Sequence, residues 1–301
     1  MAIEGRKIIE REDVRALLPK RRRDSHKGSY GKAAIVAGSI EYTGAAYLSA
    51  AACLRSGVGY TALFIPQEIL PFYALKAPEI LLRSTNEGSR YAFNEENMQP
   101  LLGYDSIAFG MGMGVSEDVY KGMEYLLSQY TGRLILDADG LNSLAKYGVE
   151  ILLTKKKCDV ILTPHAKEFS RLSGLSLEEI VKDSEGVAQA FARKYGVSVL
   201  LKNASSVITD GERIAVNERG NSGQAKGGSG DVLSGVIAGL CGSGLSAFGG
   251  GICAAYLVGK AAELGAFDIG EYSLTASDLI AYMGKAFLYV TENTDENSGK
   301  Q

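Results

Sequence analysis

The sequence predicts an α/β protein: a central, mostly parallel sheet flanked by helices on both faces. Three observations predict it. Several short apolar runs are continuously hydrophobic, not alternating, as strands covered on both faces are. Each run ends in a glycine-rich or polar loop, and helical patterns follow, the repeat that builds parallel sheets. The chain has 301 residues, 46% hydrophobic and 22% charged, which supports a sizeable core. No linker or internal repeat divides it, so one domain over residues 1–301 is expected.

The elements follow in order. Ala33-Ala34-Ile35-Val36-Ala37 is a short strand ending at Gly38-Ser39. Thr43 is placed to cap the next helix, through Ala45, Leu48, Ala52 and Leu54. Residues 60–65 and 106–109 read as strands, the second ending in Gly110-Met111-Gly112-Met113-Gly114. Residues 117–130 read as a helix. Strands at 134–136, 160–162 and 199–201 end at Asp137, at Thr163-Pro164-His165 and at Lys202. Residues 207–216 form two runs around Asp210-Gly211, a hairpin signal. From Ser229 to about Tyr289 the chain reads as helix only, and 291–301 as a frayed polar tail.

Composition narrows the function. A net charge of −3 provides no basic field for nucleic acid or lipid. Lys20-Arg21-Arg22-Arg23 reads as a solvated segment, with an anion or subunit contact as the alternative. Cys53, Cys158, Cys241 and Cys253 form no Cys-x-x-Cys pair and read as reduced core residues of a cytoplasmic protein. His26 and His165 are the only histidines, which excludes a multi-histidine metal site. The charged N-terminus has no signal-peptide core. The uncharged stretch 232–259 is long enough to span a bilayer, but its glycine clusters fit two buried helices better.

In open parallel sheets, ligands bind at the carboxyl ends of the strands. The strongest local signal there is Gly220-Asn221-Ser222-Gly223-Gln224-Ala225-Lys226-Gly227-Gly228-Ser229-Gly230-Asp231-Val232, with Gly227-Gly228-Ser229-Gly230-Asp231 at its helix start. Glycines let backbone N–H groups approach an anion, and the helix that follows aims its positive end at the same point. Asp231 reads either as a helix-dipole carboxylate or as a base beside phosphate and a substrate hydroxyl. The segment is not a Walker A loop, which needs Lys-Ser/Thr after the glycine. The 110–114 loop imitates a dinucleotide fingerprint but has Val115 where the third glycine belongs. Asp137 and Asp139 straddle a strand end and are expected on opposite faces, one available to a Mg²⁺-bound water and Asp139 capping a helix. Lys202 pairs with phosphate or leaves the sheet for solvent, and His165 is a loop histidine on the same rim.

Taken in order, these motifs, together with His26-Lys27-Gly28-Ser29-Tyr30-Gly31-Lys32, Tyr42-Thr43-Gly44-Ala45-Ala46 and Asp137-Ala138-Asp139-Gly140-Leu141-Asn142, resemble the ADP/ATP-dependent NAD(P)H-hydrate dehydratase family of the ribokinase-like superfamily. The resemblance runs from about residue 20 to about residue 290. It implies a ribokinase-like fold and a repair lyase that returns the S epimer of NADHX or NADPHX to NADH or NADPH, spending ADP (or ATP) with Mg²⁺. ADP would yield AMP and phosphate.

By position, Ala45, Gly112, His165 and Asp231 would line the hydrated-cofactor site, with Asp231 catalytic. Lys202, Asn203, Ala204, Ser205 and Ser206, with Asn221, Gly227, Gly228, Ser229 and Gly230, would hold the nucleotide. The chain departs from the family at Ala166-Lys167, where Pro-Gly commonly follows the histidine, and at Asn203, where glycine commonly follows the lysine. The epimerase domain often fused to this family has no room here. A homo-oligomer, a tetramer in particular, is expected, with no nucleic-acid or membrane partner. The competing readings are a ribokinase-like kinase for a small hydroxylated substrate, and a nucleotide-binding module without catalysis.

Overall fold

The structure is a computed structural model that describes residues 5–154 and 156–292. Its strands are β1 (Arg6–Ile8), β2 (Lys32–Val36), β3 (Tyr60–Ile65), β4 (Leu81–Ser84), β5 (Ser106–Phe109), β6 (Arg133–Leu136), β7 (Asp159–Leu162), β8 (Ser198–Leu201), β9 (Ser206–Thr209) and β10 (Ile214–Asn217). They form one sheet in the order β1-β10-β9-β8-β7-β6-β5-β2-β3-β4. Among the described residues, β9 alone runs against the rest; it pairs antiparallel with β8 and β10, and every other pairing is parallel.

The continuous apolar runs have the predicted cause. Along β2, Ala33 and Ile35 face one core while Ala34 and Val36 face another. Helices Thr43–Leu54, Ser229–Gly242, Ala247–Ile269 and Ala276–Thr291 bury their apolar residues in the first core. Glu117–Gln129, Asp139–Tyr147, Ala166–Ser173 and Ser184–Tyr195 bury theirs in the second. With both faces covered, residues such as Ile35, Ile107 and Leu136 are fully buried, and each such side chain contributes about 1.5–3 kcal/mol.

All four cysteines are free and buried. The uncharged stretch 232–259 divides into two helices at residues 243–246, and no described helix is long and apolar enough to cross a membrane. The basic cluster is partly engaged: the Arg21 guanidinium lies 3.9 Å from the centroid of the Tyr30 ring, and Arg22 pairs with Asp24 at 2.7 Å.

Three local expectations are corrected. Thr43 is the first residue of its helix, not the cap; Tyr42 holds that place and offers no capping side chain. Asp139 likewise begins its helix, and its Oδ2 accepts the N–H of Gly114 at 2.8 Å in place of capping. The last helix runs through Thr291, because Val290 is still buried in the core. The rest of the expected tail, 293–301, lies outside the described residues.

The order of the strands fixes where ligands meet the sheet. From β2 the chain steps to β3 on one side, and later elements fill the other side from β5 onward. The gap between β2 and β5 is therefore the switch point at which the connecting loops splay apart.

Candidate active site

The switch point brings the loops after β2 and β5 together. Gly38 donates its N–H to the carbonyl of Met111 at 2.8 Å. Gly112 stands against the start of the Thr43–Leu54 helix with φ of 64°. A Cβ there would lie 2.7 Å from Tyr42 Cβ and 2.9 Å from Ala45 Cβ. Gly112 and Ala45 thus stand against each other at the switch point.

A wall lies at the ends of β7, β8 and β10. It encloses a cavity of about 890 Å³ lined by His165, Lys202, Asn203, Ala204, Ser206, Asn221, Ser229 and Gly230, within the usual size of small-molecule sites. The structure therefore gathers most of the residues expected at the nucleotide. Ser205, Gly227 and Gly228 lie outside this wall. Gly228 shapes it from behind as the N-cap of the Ser229–Gly242 helix, with φ of 95°. A Cβ on Gly228 would come within 2.6 Å of Leu48 Cδ1 and 2.9 Å of Ala276 Cβ. His165, expected at the hydrated-cofactor site, is part of the lining of this cavity.

Beside the cavity lies a charged cluster. Asp137 is buried, and each of its oxygens has a partner: Oδ1 accepts from Lys202 Nζ at 2.9 Å and from the Ala138 N–H, and Oδ2 accepts from Ser234 Oγ at 2.7 Å. Lys202 therefore does not run to solvent: it spends one of its three N–H donors on Asp137 and lines the cavity. Burial opposes its charge, yet Asp137, Glu168 and Asp231 outweigh that and hold the ammonium above its ordinary value.

The strand alternation behind the expected opposite facing of Asp137 and Asp139 does not reach them, because β6 ends at Leu136 and Asp139 begins a helix. Ala138, between them, has φ of 50°, which breaks the strand alternation. Both carboxylates act on Asp231 in the first turn of the Ser229–Gly242 helix. Burial, then Asp137 and, more weakly, Asp139 push Asp231 up to about 7, against the pull of Lys202. The Asp231 carboxyl makes no hydrogen bond among the described residues. It is thus poised to exchange a proton near neutral pH, as a general base must be.

His165 caps the Ala166–Ser173 helix: its Nδ1 accepts from the N–H groups of Lys167 at 3.1 Å and Glu168 at 3.2 Å. Ala166-Lys167, the departure from the usual family sequence, thus forms the first turn of a regular capped helix.

Sequence reasoning missed part of the cavity wall. Asn217 and Arg219 line it because β10 runs in the same direction as β8 and delivers its carboxyl end to the same rim. Lys226 was also missed as an anchor: its Nζ donates to the carbonyls of Tyr272 at 2.6 Å and Leu274 at 2.7 Å, tying the glycine-rich loop to the segment before the last helix.

Comparison to known proteins shows the family. Residues 33–285 match the family model for NAD(P)H-hydrate dehydratase. The chain belongs to the NAD(P)H-hydrate dehydratase family. It is 34% identical over 278 residues to the ADP-dependent (S)-NAD(P)H-hydrate dehydratase of Cenarchaeum symbiosum, covering 91% of this chain and 94% of that one. It is 37% identical over 281 residues to the bifunctional NAD(P)H-hydrate repair enzyme of Thermofilum pendens, covering 92% of this chain and 53% of that protein. The chain spans about half the length of such bifunctional relatives. The solved structure of the Bacillus subtilis ADP/ATP-dependent NAD(P)H-hydrate dehydratase, co-crystallised with ATP and Mg²⁺, superposes with a TM-score of 0.82 at 29% identity, covering 96% of this chain and 99% of that one. This member of the family thus has the ribokinase-like α/β architecture expected from its sequence.

Proposed function

We propose that this chain dehydrates the S epimer of NADHX or NADPHX at the expense of ADP, releasing AMP and phosphate. The observation that carries the proposal is Asp231. It stands one residue past the cavity wall at Gly230, in the first turn of a helix and beside the Asp137–Lys202 pair.

In this reading the nucleotide occupies the cavity, with its phosphates toward the Ser229–Gly242 helix start, where backbone N–H groups offset negative charge. The hydrated nicotinamide ring lies against the Gly112–Ala45 wall. Asp231 takes the proton of the ring hydroxyl as its oxygen attacks the terminal phosphorus of ADP, and the bond to AMP breaks. The ring C–O bond of the phosphorylated intermediate then breaks, phosphate leaves, and loss of a proton from the neighbouring ring carbon restores NADH or NADPH. Asp137 and Lys202 neutralise each other, so Lys202 shapes the field without drawing Asp231 down to the ordinary carboxylate range.

The site fits Mg²⁺ carried on phosphate. Among the described residues no group of three or more His, Cys, Asp or Glu side chains is arranged to hold an ion by itself. Mg²⁺ commonly uses one or two carboxylates, with phosphates and waters completing its shell. Asp139 and Asp231 each keep an oxygen free of hydrogen bonds among the described residues, and they are the carboxylates that would face such an ion. It would supply neutralisation of phosphate charge.

The test is direct. The purified chain mixed with (S)-NADHX, ADP and Mg²⁺ is expected to raise the absorbance of reduced nicotinamide, and omission of ADP to abolish the rise. No rise with either ADP or ATP would overturn the proposal.

A further inference from the structure

The His165 ring is committed at one end and open at the other. Its Nδ1 accepts two backbone N–H groups, from Lys167 and Glu168. A nitrogen that accepts hydrogen bonds carries no proton, so the neutral ring holds its proton on Nε2. Protonating Nδ1 would set a third N–H against two N–H donors and break the cap. The other end is unspent: Nε2 lies 3.5 Å from Glu168 Oε1, beyond hydrogen-bond range, while Glu168 Oε2 is occupied by the backbone N–H of His165 at 2.9 Å. The ring forms part of the cavity wall, together with Lys202 and Gly230.

The charges that face it are Lys202, Asp137, Arg171 and Glu168. Burial and then Lys202 hold the imidazole below its ordinary value, against the smaller opposing effect of Asp137. Geometry and field therefore agree that the ring is neutral.

We propose that His165 is a fixed, neutral hydrogen-bond donor, its Nε2–H directed to an anionic oxygen of the nucleotide's terminal phosphate, and that it takes no part in proton transfer. The proposal rests on the dehydratase reading for what becomes of that phosphate, but not for the tautomer or the donor role. It leaves Asp231 as the group that changes protonation during the reaction.

Because the chain has only two histidines, imidazole ¹H–¹⁵N NMR of the full chain can read the tautomer, with His26→Gln assigning the signals. Between pH 6 and 8, His165 is expected to keep Nδ1 unprotonated and Nε2 protonated, and Nε2 is expected to shift on saturation with ADP and Mg²⁺. A proton on Nδ1, conversion to imidazolium within that range, or an Nε2 indifferent to ADP would overturn the proposal.

His165→Asn separates donor from cap, since asparagine caps helices well but lacks the reach of Nε2. It is expected to keep the wild-type melting temperature and bind ADP about 10-fold or more weakly, as loss of a charge-assisted hydrogen bond implies. Unchanged ADP affinity would reduce His165 to a cap. Neither readout needs turnover: a chain that shows this tautomer and this loss of ADP binding but never forms NADH would refute the dehydratase reading and leave the donor role standing.

Discussion

Lys202 Nζ lies 2.9 Å from Asp137 Oδ1, joining the end of β8 to the end of β6 across the intervening β7. Ser234 Oγ donates to the second carboxylate oxygen from the Ser229–Gly242 helix.

Lys202→Met removes one partner of a buried pair and leaves Asp137 uncompensated. The expected cost is about 3–5 kcal/mol, read by chemical denaturation. Asp137→Asn in the Lys202→Met background is expected to recover part of that loss, because it removes the stranded charge. A double variant no more stable than Lys202→Met would mean that the pair contributes nothing beyond packing.

Asp231→Asn is expected to lower turnover by about 100- to 10,000-fold while ADP still binds. In the wild type, kcat/KM is expected to rise with pH through about 7, where Asp231 ionises. The same displacement makes a stability prediction. With its folded value at about 7, above the ordinary 3.8, native Asp231 keeps its proton where the unfolded chain has lost it. Stability is therefore given up as pH rises from about 4 to about 7. Asp231→Asn is expected to be more stable than wild type at pH 8 by about 1–3 kcal/mol, less than a complete shift would carry because Asp231 is not fully buried. The difference fades below pH 4. Denaturation at pH 4 and pH 8 checks the sign.

Gly112→Ala places a methyl group against Tyr42 and Ala45, at a positive φ that alanine disfavours. It is expected to raise KM for the hydrated cofactor while leaving the Kd for ADP near wild type, since the nucleotide cavity lies on the other wall. Isothermal titration with ADP beside steady-state kinetics separates the two. An equal loss in both would place the two ligands on one wall.

Lys226→Met unties the glycine-rich loop from Tyr272 and Leu274. Its melting temperature without ligand is expected to fall by a few degrees, as loss of about 1 kcal/mol implies. ADP is then expected to raise that temperature less than it does in the wild type, because the loop must be ordered as the nucleotide binds. Thermal melts with and without ADP measure both effects.

The parallel core was legible because burial on both faces leaves only apolar residues: Ala33 to Val36 and Val160 to Leu162 announce themselves. The edge strands did not. β1 carries Arg6 and Lys7, and β4 alternates around Arg83, since an edge needs only one covered face and one paired side. The glycine-rich loop with Asp231 was visible because its glycines and the helix start they precede lie together in sequence.

The pairing of Lys202 with Asp137 was hidden. Each stood at a strand end, but their adjacency depends on the order of strands in the sheet, which no local pattern records. Asn217 was missed for a similar reason: a hairpin reading of 207–216 does not say that its second strand ends on the ligand rim. The turn at Ala138 was not legible because strand periodicity says nothing about a single residue at positive φ.

The most direct test of the account follows one reaction mixture of (S)-NADHX, ADP and Mg²⁺ by ³¹P NMR and nicotinamide absorbance together. The account predicts AMP, inorganic phosphate and NADH in equal amounts. AMP accumulating beside a stable phosphorylated nicotinamide product, with no phosphate and no NADH, would contradict it and make this chain a kinase.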